Sequence, residues 1–183
     1  MSKNGLILIT PTSISTSGGT ASISANGSVT FSGSSGITFN QVFSNVYDNY
    51  LIVGNHTNSV AVTLRMRLGN YGGSFSTADY YTQVLGAYNS TIDPYSGGPS
   101  AEFVFGSSTA TYHGGHVIRV FGPHLAQNTA VRAVDTGPWS SAYPYYMVYT
   151  SNYHNVASSF DSCLIFPGSG TLTGTFCIYG LRN

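Results

Sequence analysis

The stretch Val60-Ala-Val-Thr-Leu-Arg-Met-Arg-Leu68 decides the fold class. Val60, Val62, Leu64, Met66 and Leu68 fall on one face of an extended chain, and Ala61, Thr63, Arg65 and Arg67 on the other. That period of two belongs to a half-buried β-strand and not to a helix. Near the C-terminal end the pattern returns, with Leu172, Gly174, Phe176 and Ile178 alternating against Thr171, Thr173, Thr175 and Cys177. Near the N-terminal end, Ile23-Ser-Ala-Asn-Gly-Ser-Val-Thr-Phe31 sets Asn26-Gly27 between two alternating arms. Asn-Gly accepts positive φ at both central positions, so a hairpin is expected there. Runs rich in β-branched and aromatic residues predict further short strands at 6–9, 50–54, 101–105, 117–121, 130–134, 145–149 and 160–166. Residues 77–85 read as one helix, with Ser76 or Thr77 as N-cap and Asp79 in the first turn, although they also alternate as a strand. Many short strands with no linker or repeat predict an all-β chain, an antiparallel β-sandwich or jelly roll.

Residues 1–40 are expected to form a Ser/Thr/Gly-rich arm ending in a β-hairpin extension of the same unit, and residues 41–183 the jelly-roll domain. Within 10–38, 20 of the 29 residues are Ser, Thr or Gly and none is charged. Ile14, Ile23, Val29, Phe31, Ile37 and Phe39 recur around that segment, which predicts an ordered but weakly cored hairpin leaning on a neighbour.

Charge is scarce. Six Lys+Arg and six Asp+Glu make 7% of the chain, against roughly 25% in an average soluble protein. A neutral chain whose sole lysine is Lys3 offers no basic stripe to phosphates and no electrostatic hold on a membrane surface, so neither nucleic acid nor membrane is an expected partner. Disorder is excluded by an aromatic content of 14%. Ser, Thr, Gly and Asn supply 80 of the 183 residues, so the surface is built of hydroxyls, amides and backbone. No signal-peptide core and no membrane-length apolar run is present. Three Asn-x-Ser/Thr matches, at Asn26, Asn55 and Asn89, read as products of this composition. Cys163 and Cys177 are expected on the two arms of one hairpin about Pro167-Gly-Ser-Gly170, facing opposite sides, hence as free thiols.

Local signatures of chemistry are missing. No Gly-x-Ser-x-Gly elbow occurs, and Gly97-Gly98 and Gly114-Gly115 lack the Lys-Ser/Thr continuation of a phosphate loop. His113, His116 and His124 would form a three-imidazole metal site only if Gly114-Gly115 turned tightly, and surface or loop histidines are the favoured reading. The six acids, Asp48, Asp79, Asp93, Glu102, Asp135 and Asp161, could supply a carboxylate pair for glycoside cleavage, but nothing in the sequence supports one. No catalytic residue, metal or cofactor is expected. Trp139, Tyr143 and Tyr145, with Tyr149 and Tyr153 beyond, offer a stacking platform for a sugar ring; tyrosines shared between core and an intersubunit surface are the favoured alternative.

Strand edges are usually guarded by lysine, and this chain has one, so its edges and faces are expected to be covered by partner subunits. Phe43-Ser-Asn-Val-Tyr-Asp-Asn-Tyr-Leu-Ile-Val53, Leu64-Arg-Met-Arg-Leu68, Asp79-Tyr-Tyr81 and Gly170-Thr-Leu-Thr-Gly-Thr-Phe-Cys-Ile-Tyr-Gly180 resemble β-rich modules of tailed-bacteriophage virion proteins, found in tail fibres and in small head-decoration (cement) proteins. The resemblance covers the chain from about Phe31 onward, and its motifs are structural. It implies a non-enzymatic jelly roll, commonly a homotrimer, located in the virion. The chain has no coiled-coil or repetitive shaft, which favours a decoration protein or a short fibre tip. The leading expectation is a capsid decoration (cement) protein that bridges subunits of the major capsid protein, with Arg65 and Arg67 as candidate partner contacts or else a solvated strand face. The alternative is a tail-fibre tip that recognises a host surface glycan through Trp139, Tyr143 and Tyr145.

Overall fold

The computed structural model describes residues 5–108, 112–137 and 146–181. Fifteen strands follow one another: β1 Leu6–Ile9, β2 Ser13–Thr16, β3 Thr20–Ile23, β4 Val29–Ser34, β5 Ile37–Asn40, β6 Asn49–Asn58, β7 Val62–Gly69, β8 Tyr80–Tyr88, β9 Thr91–Ser100, β10 Phe103–Ser108, β11 Gly114–Phe121, β12 Gln127–Thr136, β13 Tyr146–Ser158, β14 Ser162–Pro167 and β15 Leu172–Leu181. All pairings are antiparallel, and no helix occurs among the described residues. The larger sheet runs β3-β4-β15-β6-β11-β12-β13-β8-β9, with β1 also paired to β15; the smaller runs β10-β7-β14-β5-β2. The chain is the expected antiparallel β-sandwich of jelly-roll type.

The alternation expected at 60–68 holds from Leu64 onward, whereas Val60 is 44% exposed and precedes β7, and Val62 is only half-buried. Leu64, Met66 and Leu68 of β7 are fully buried, while Arg65 and Arg67 point away from the core. Facing them from the larger sheet are Ile52, Ile118, Val120, Val131, Phe176 and Ile178, all buried in the same cluster. Phe176 stacks on Phe31 with ring centroids 5.4 Å apart and meets Phe39 edge-on at 6.3 Å, so rings from both sheets lock the centre.

Several expectations change. Residues 77–85 are not helical: Asp79 stands at φ 62°, which no helix accepts, and β8 starts at Tyr80. Cross-strand partners on both sides, β13 and β9, give the strand reading what an isolated helix would lack. The hairpin about Asn26 forms, but only Gly27 of the pair takes positive φ, at 81°. Ser24 N donates to the Ser28 carbonyl at 2.9 Å and Gly27 N to the Ser24 carbonyl at 2.9 Å, a longer loop than a two-residue turn. Nor is the region weakly cored, since Val29, Phe31, Ile37 and Phe39 belong to the central cluster.

The cysteine hairpin does not exist. β14 lies in the smaller sheet and β15 in the larger, so the connection at 168–171 crosses between sheets. Cys163 is buried and Cys177 half-buried, both free thiols as expected, but the separation is by sheet. Several of the edges carry guards other than lysine. β1, β2 and β3 are four residues each, and the ten-residue edge strand β9 carries Pro94 and Pro99. Short length and proline blunt an edge as lysine does.

Candidate binding face

On β11, β12, β13 and β8, buried and exposed residues alternate strictly over most of their length, so the outer face of the larger sheet is set by register. Val117, Val134, Tyr149, Leu85 and Pro94 lie side by side across five strands. Two residues along each strand comes a second row, Arg119, Arg132, Ser151, Gln83 and Ser96. Two further along, a third row holds Phe121, Ala130, Tyr153 and Tyr81. A polar furrow therefore crosses the sheet between two apolar and aromatic rows. With strands about 4.8 Å apart, five of them make it about 19 Å long. Tyr149 and Tyr153 rise on either side of Ser151, about 13 Å apart along the strand.

The furrow has two hollows, one lined by Arg132 and the other by Ser151, its partner in register on the next strand. One, of about 290 Å³, is lined by Val117, Arg119, Phe121, Arg132, Val134 and Tyr149 among others. The other, of about 430 Å³, is lined by Tyr81, Gln83, Ser96, Gly97, Ser151 and Tyr153 among others. Gln83 spends one amide hydrogen on the Tyr95 carbonyl at 3.1 Å. The Asn128 side-chain amide donates to the Tyr153 hydroxyl, which in turn donates to Asn155 Oδ1 at 3.4 Å, so this ring is held at the rim before any ligand arrives.

Arg65 and Arg67 sit on the opposite side of the molecule, on the outer face of the smaller sheet. Arg65 Nη1 donates to Glu102 Oε1 at 2.7 Å and Arg67 Nη2 to Glu102 Oε2 at 2.8 Å. Arg67 Nε also donates to the Ala101 carbonyl at 3.0 Å, and its guanidinium lies 4.9 Å over the Phe166 ring. The carboxylate that both guanidiniums hold is the chain's own Glu102, at the corner where β9 of one sheet passes to β10 of the other. Trp139, Tyr143 and Tyr145 lie outside the described residues.

The histidines are not gathered as a turn at Gly114-Gly115 would gather them: these glycines are extended in β11, His113 is exposed and His116 buried. His116 Nδ1 pairs instead with Asp135 Oδ1, directly opposite on β12, and the other carboxylate oxygen accepts the Gly106 amide at 2.8 Å. His56 stacks on His116 with centroids 4.6 Å apart, and burial, helped by His116 and His113, lowers its pKa to about 3. Sequence reading missed this cluster because His56 and Asp135 stand far from His116 in the chain. Side chains 1% and 3% exposed place the His116–Asp135 pair out of a substrate's reach. Asp161 is occupied too, accepting from the Tyr71 amide at 2.8 Å and the Ser162 hydroxyl at 2.5 Å. Among the described residues no group of three His, Cys, Asp or Glu side chains is placed to hold a metal ion.

Fold and face together define a jelly-roll β-sandwich with a furrowed outer sheet. Neither a family model nor a curated protein matches the chain. Among solved structures it is similar to a CBM4 structure (14% identity over 88% of this chain and 92% of that one, TM-score 0.22). It is similar also to the β-agarase B of Zobellia galactanivorans (10% identity, 88% and 74%, TM-score 0.28). A third is the CBM2 module of the evolved Dit of Lactobacillus casei BL23 phage J-1 (9% identity, 100% and 93%, TM-score 0.21). At TM-scores this low, none of the three defines a ligand for this chain.

Proposed function

We propose that the chain is a non-enzymatic recognition module that holds an extended, hydroxyl-rich ligand, a saccharide, in the furrow of its larger sheet. The observation that supports it is the order of the rows. A protein interface places apolar side chains at its centre and polar ones at its rim. Here the polar row lies in the middle, with Tyr149 on one side and Tyr81 and Tyr153 on the other, which suits a sugar chain whose hydroxyls meet Ser151, Gln83 and Ser96 while ring faces lie on tyrosine. Among the described residues, neither hollow of the furrow is lined by Asp, Glu or His. In a tailed-phage particle, the setting implied by the sequence resemblance, such a module is a receptor-binding tip.

The capsid-cementing role is the second reading. Short length or proline guards β1, β2, β3 and β9, but β10, at the edge of the smaller sheet, has six residues and neither proline nor lysine, so that edge still favours a covering partner. The row Val117, Val134, Tyr149 and Leu85, exposed by 39–51%, favours it as well. A bacterial polysaccharide array decides between them. Tyr149→Ala and Tyr153→Ala should each weaken glycan binding at least tenfold, while Tyr71→Ala, on the connection between β7 and β8, leaves it unchanged. Failure of the intact protein to bind any polysaccharide, together with co-sedimentation with capsids that is lost on Leu85→Asp, would overturn the glycan reading in favour of cement.

A further inference from the structure

The two guanidiniums in the furrow say what kind of saccharide it takes. Of the arginines in the described residues, Arg65 and Arg67 share Glu102, whereas Arg119 and Arg132 make no ion pair. These two stand directly opposite each other on β11 and β12. Like charges at such a cross-strand position repel and cost stability. No acid answers them: the neighbours in register are Leu51 and Ser151, and the flanking residues on their own strands are Val117, Phe121, Ala130 and Val134. In a chain with only six basic residues, two are placed where they destabilise the free protein and line one hollow together with Tyr149.

We infer that Arg119 and Arg132 clamp an oxyanion carried by the ligand, so that the saccharide is acidic, with a carboxylate or a phosphate on the sugar lying between the two guanidiniums. This rests on the saccharide reading given above. Guanidinium presents paired donors that match the two oxygens of either group, and an anion between two arginines turns their mutual repulsion into attraction for both. The anionic sugar sits at the β11–β12 end of the furrow, and neutral sugars extend over Ser151 and Gln83 toward Ser96.

The test is an array of bacterial surface polysaccharides, each printed in three forms: native, carboxyl-reduced, and dephosphorylated with hydrogen fluoride. The protein should bind native acidic polymers and lose at least a hundredfold on one of the two treatments, which also says whether the oxyanion is a carboxylate or a phosphate. Arg119→Gln with Arg132→Gln should lose the same factor on the native polymer, lose nothing on the treated one, and melt no lower than the parent because a repulsion has gone. Equal binding to all three forms overturns the acidic ligand and leaves the saccharide reading standing. Binding to no polymer, combined with capsid binding that the double variant abolishes, overturns both.

Discussion

Acidification should destabilise the fold through His56, and the size of the effect follows from its burial. His56 is fully buried, and its pKa is lowered from 6.5 to about 3, first by desolvation and then by His116 and His113. Because the folded value is depressed, the unfolded chain takes up the proton first. The stability attached to neutral His56 is therefore complete above about pH 6.5 and is lost as the pH falls toward 3. At 1.36 kcal/mol per pH unit of such a shift, this side chain alone removes about 2.5 kcal/mol between pH 7 and pH 4.5. In a domain of this size that corresponds to a fall in Tm of about 5–10 °C. Circular-dichroism melts across that window on the parent, His56→Phe and His56→Gln measure it. His154, whose pKa burial also lowers, contributes equally to all three proteins. Both variants start from lower Tm values, so the readout is the slope with pH and not the baseline. Variants that lose as many degrees as the parent on acidification would refute the reasoning.

Phe176→Ala removes the ring that stacks on Phe31 and meets Phe39, and should cost about 4 kcal/mol in chemical denaturation. Glu102→Gln leaves two guanidiniums without their carboxylate. Because the arginine side chains are 34% and 27% exposed, the cost should be about 2 kcal/mol, below that of a fully buried pair. A loss under about 0.5 kcal/mol would mean that the clamp is ornamental. Iodoacetamide at pH 8 should modify Cys177 in the native protein and leave Cys163, whose thiol burial pushes well up, until the chain unfolds; peptide mass spectrometry reads the two sites separately.

What the sequence made legible was whatever repeats with a period of two. The strands holding Leu64, Ile118, Val131 and Phe176 announce themselves because one face is apolar and the other is not. β9 does not, since Asp93, Pro94, Ser96, Gly97, Gly98 and Pro99 carry no alternation, and it is a strand only because β8 offers it a ladder. β8 itself imitates a helix through Ser76, Thr77 and Asp79, a cap-like start that the positive φ of Asp79 cancels. The furrow is encoded less openly. Arg119 and Arg132 sit on two strands that were both expected, and folding them about the intervening turn would have set the arginines opposite each other. Arg65 and Arg67, by contrast, stand out in one strand's pattern, but their carboxylate, Glu102, lies 35 or more residues away in the sequence, at the β9–β10 corner.

The position of β15 governs when the fold can form. It lies between β4 and β6 in the larger sheet and also pairs with β1, yet it is the last described strand to leave the ribosome. Until it arrives, the N-terminal hairpin has no route into that sheet, and Val29 and Phe31 wait uncovered for Phe176. Closing a loop of this length late makes folding slow and leaves a sticky, Ser/Thr-diluted segment to tolerate the delay. The abundance of hydroxyls in residues 10–38 then acquires a kinetic meaning: with no charge in the segment, Ser and Thr are what keep it hydrated while it waits for its partner.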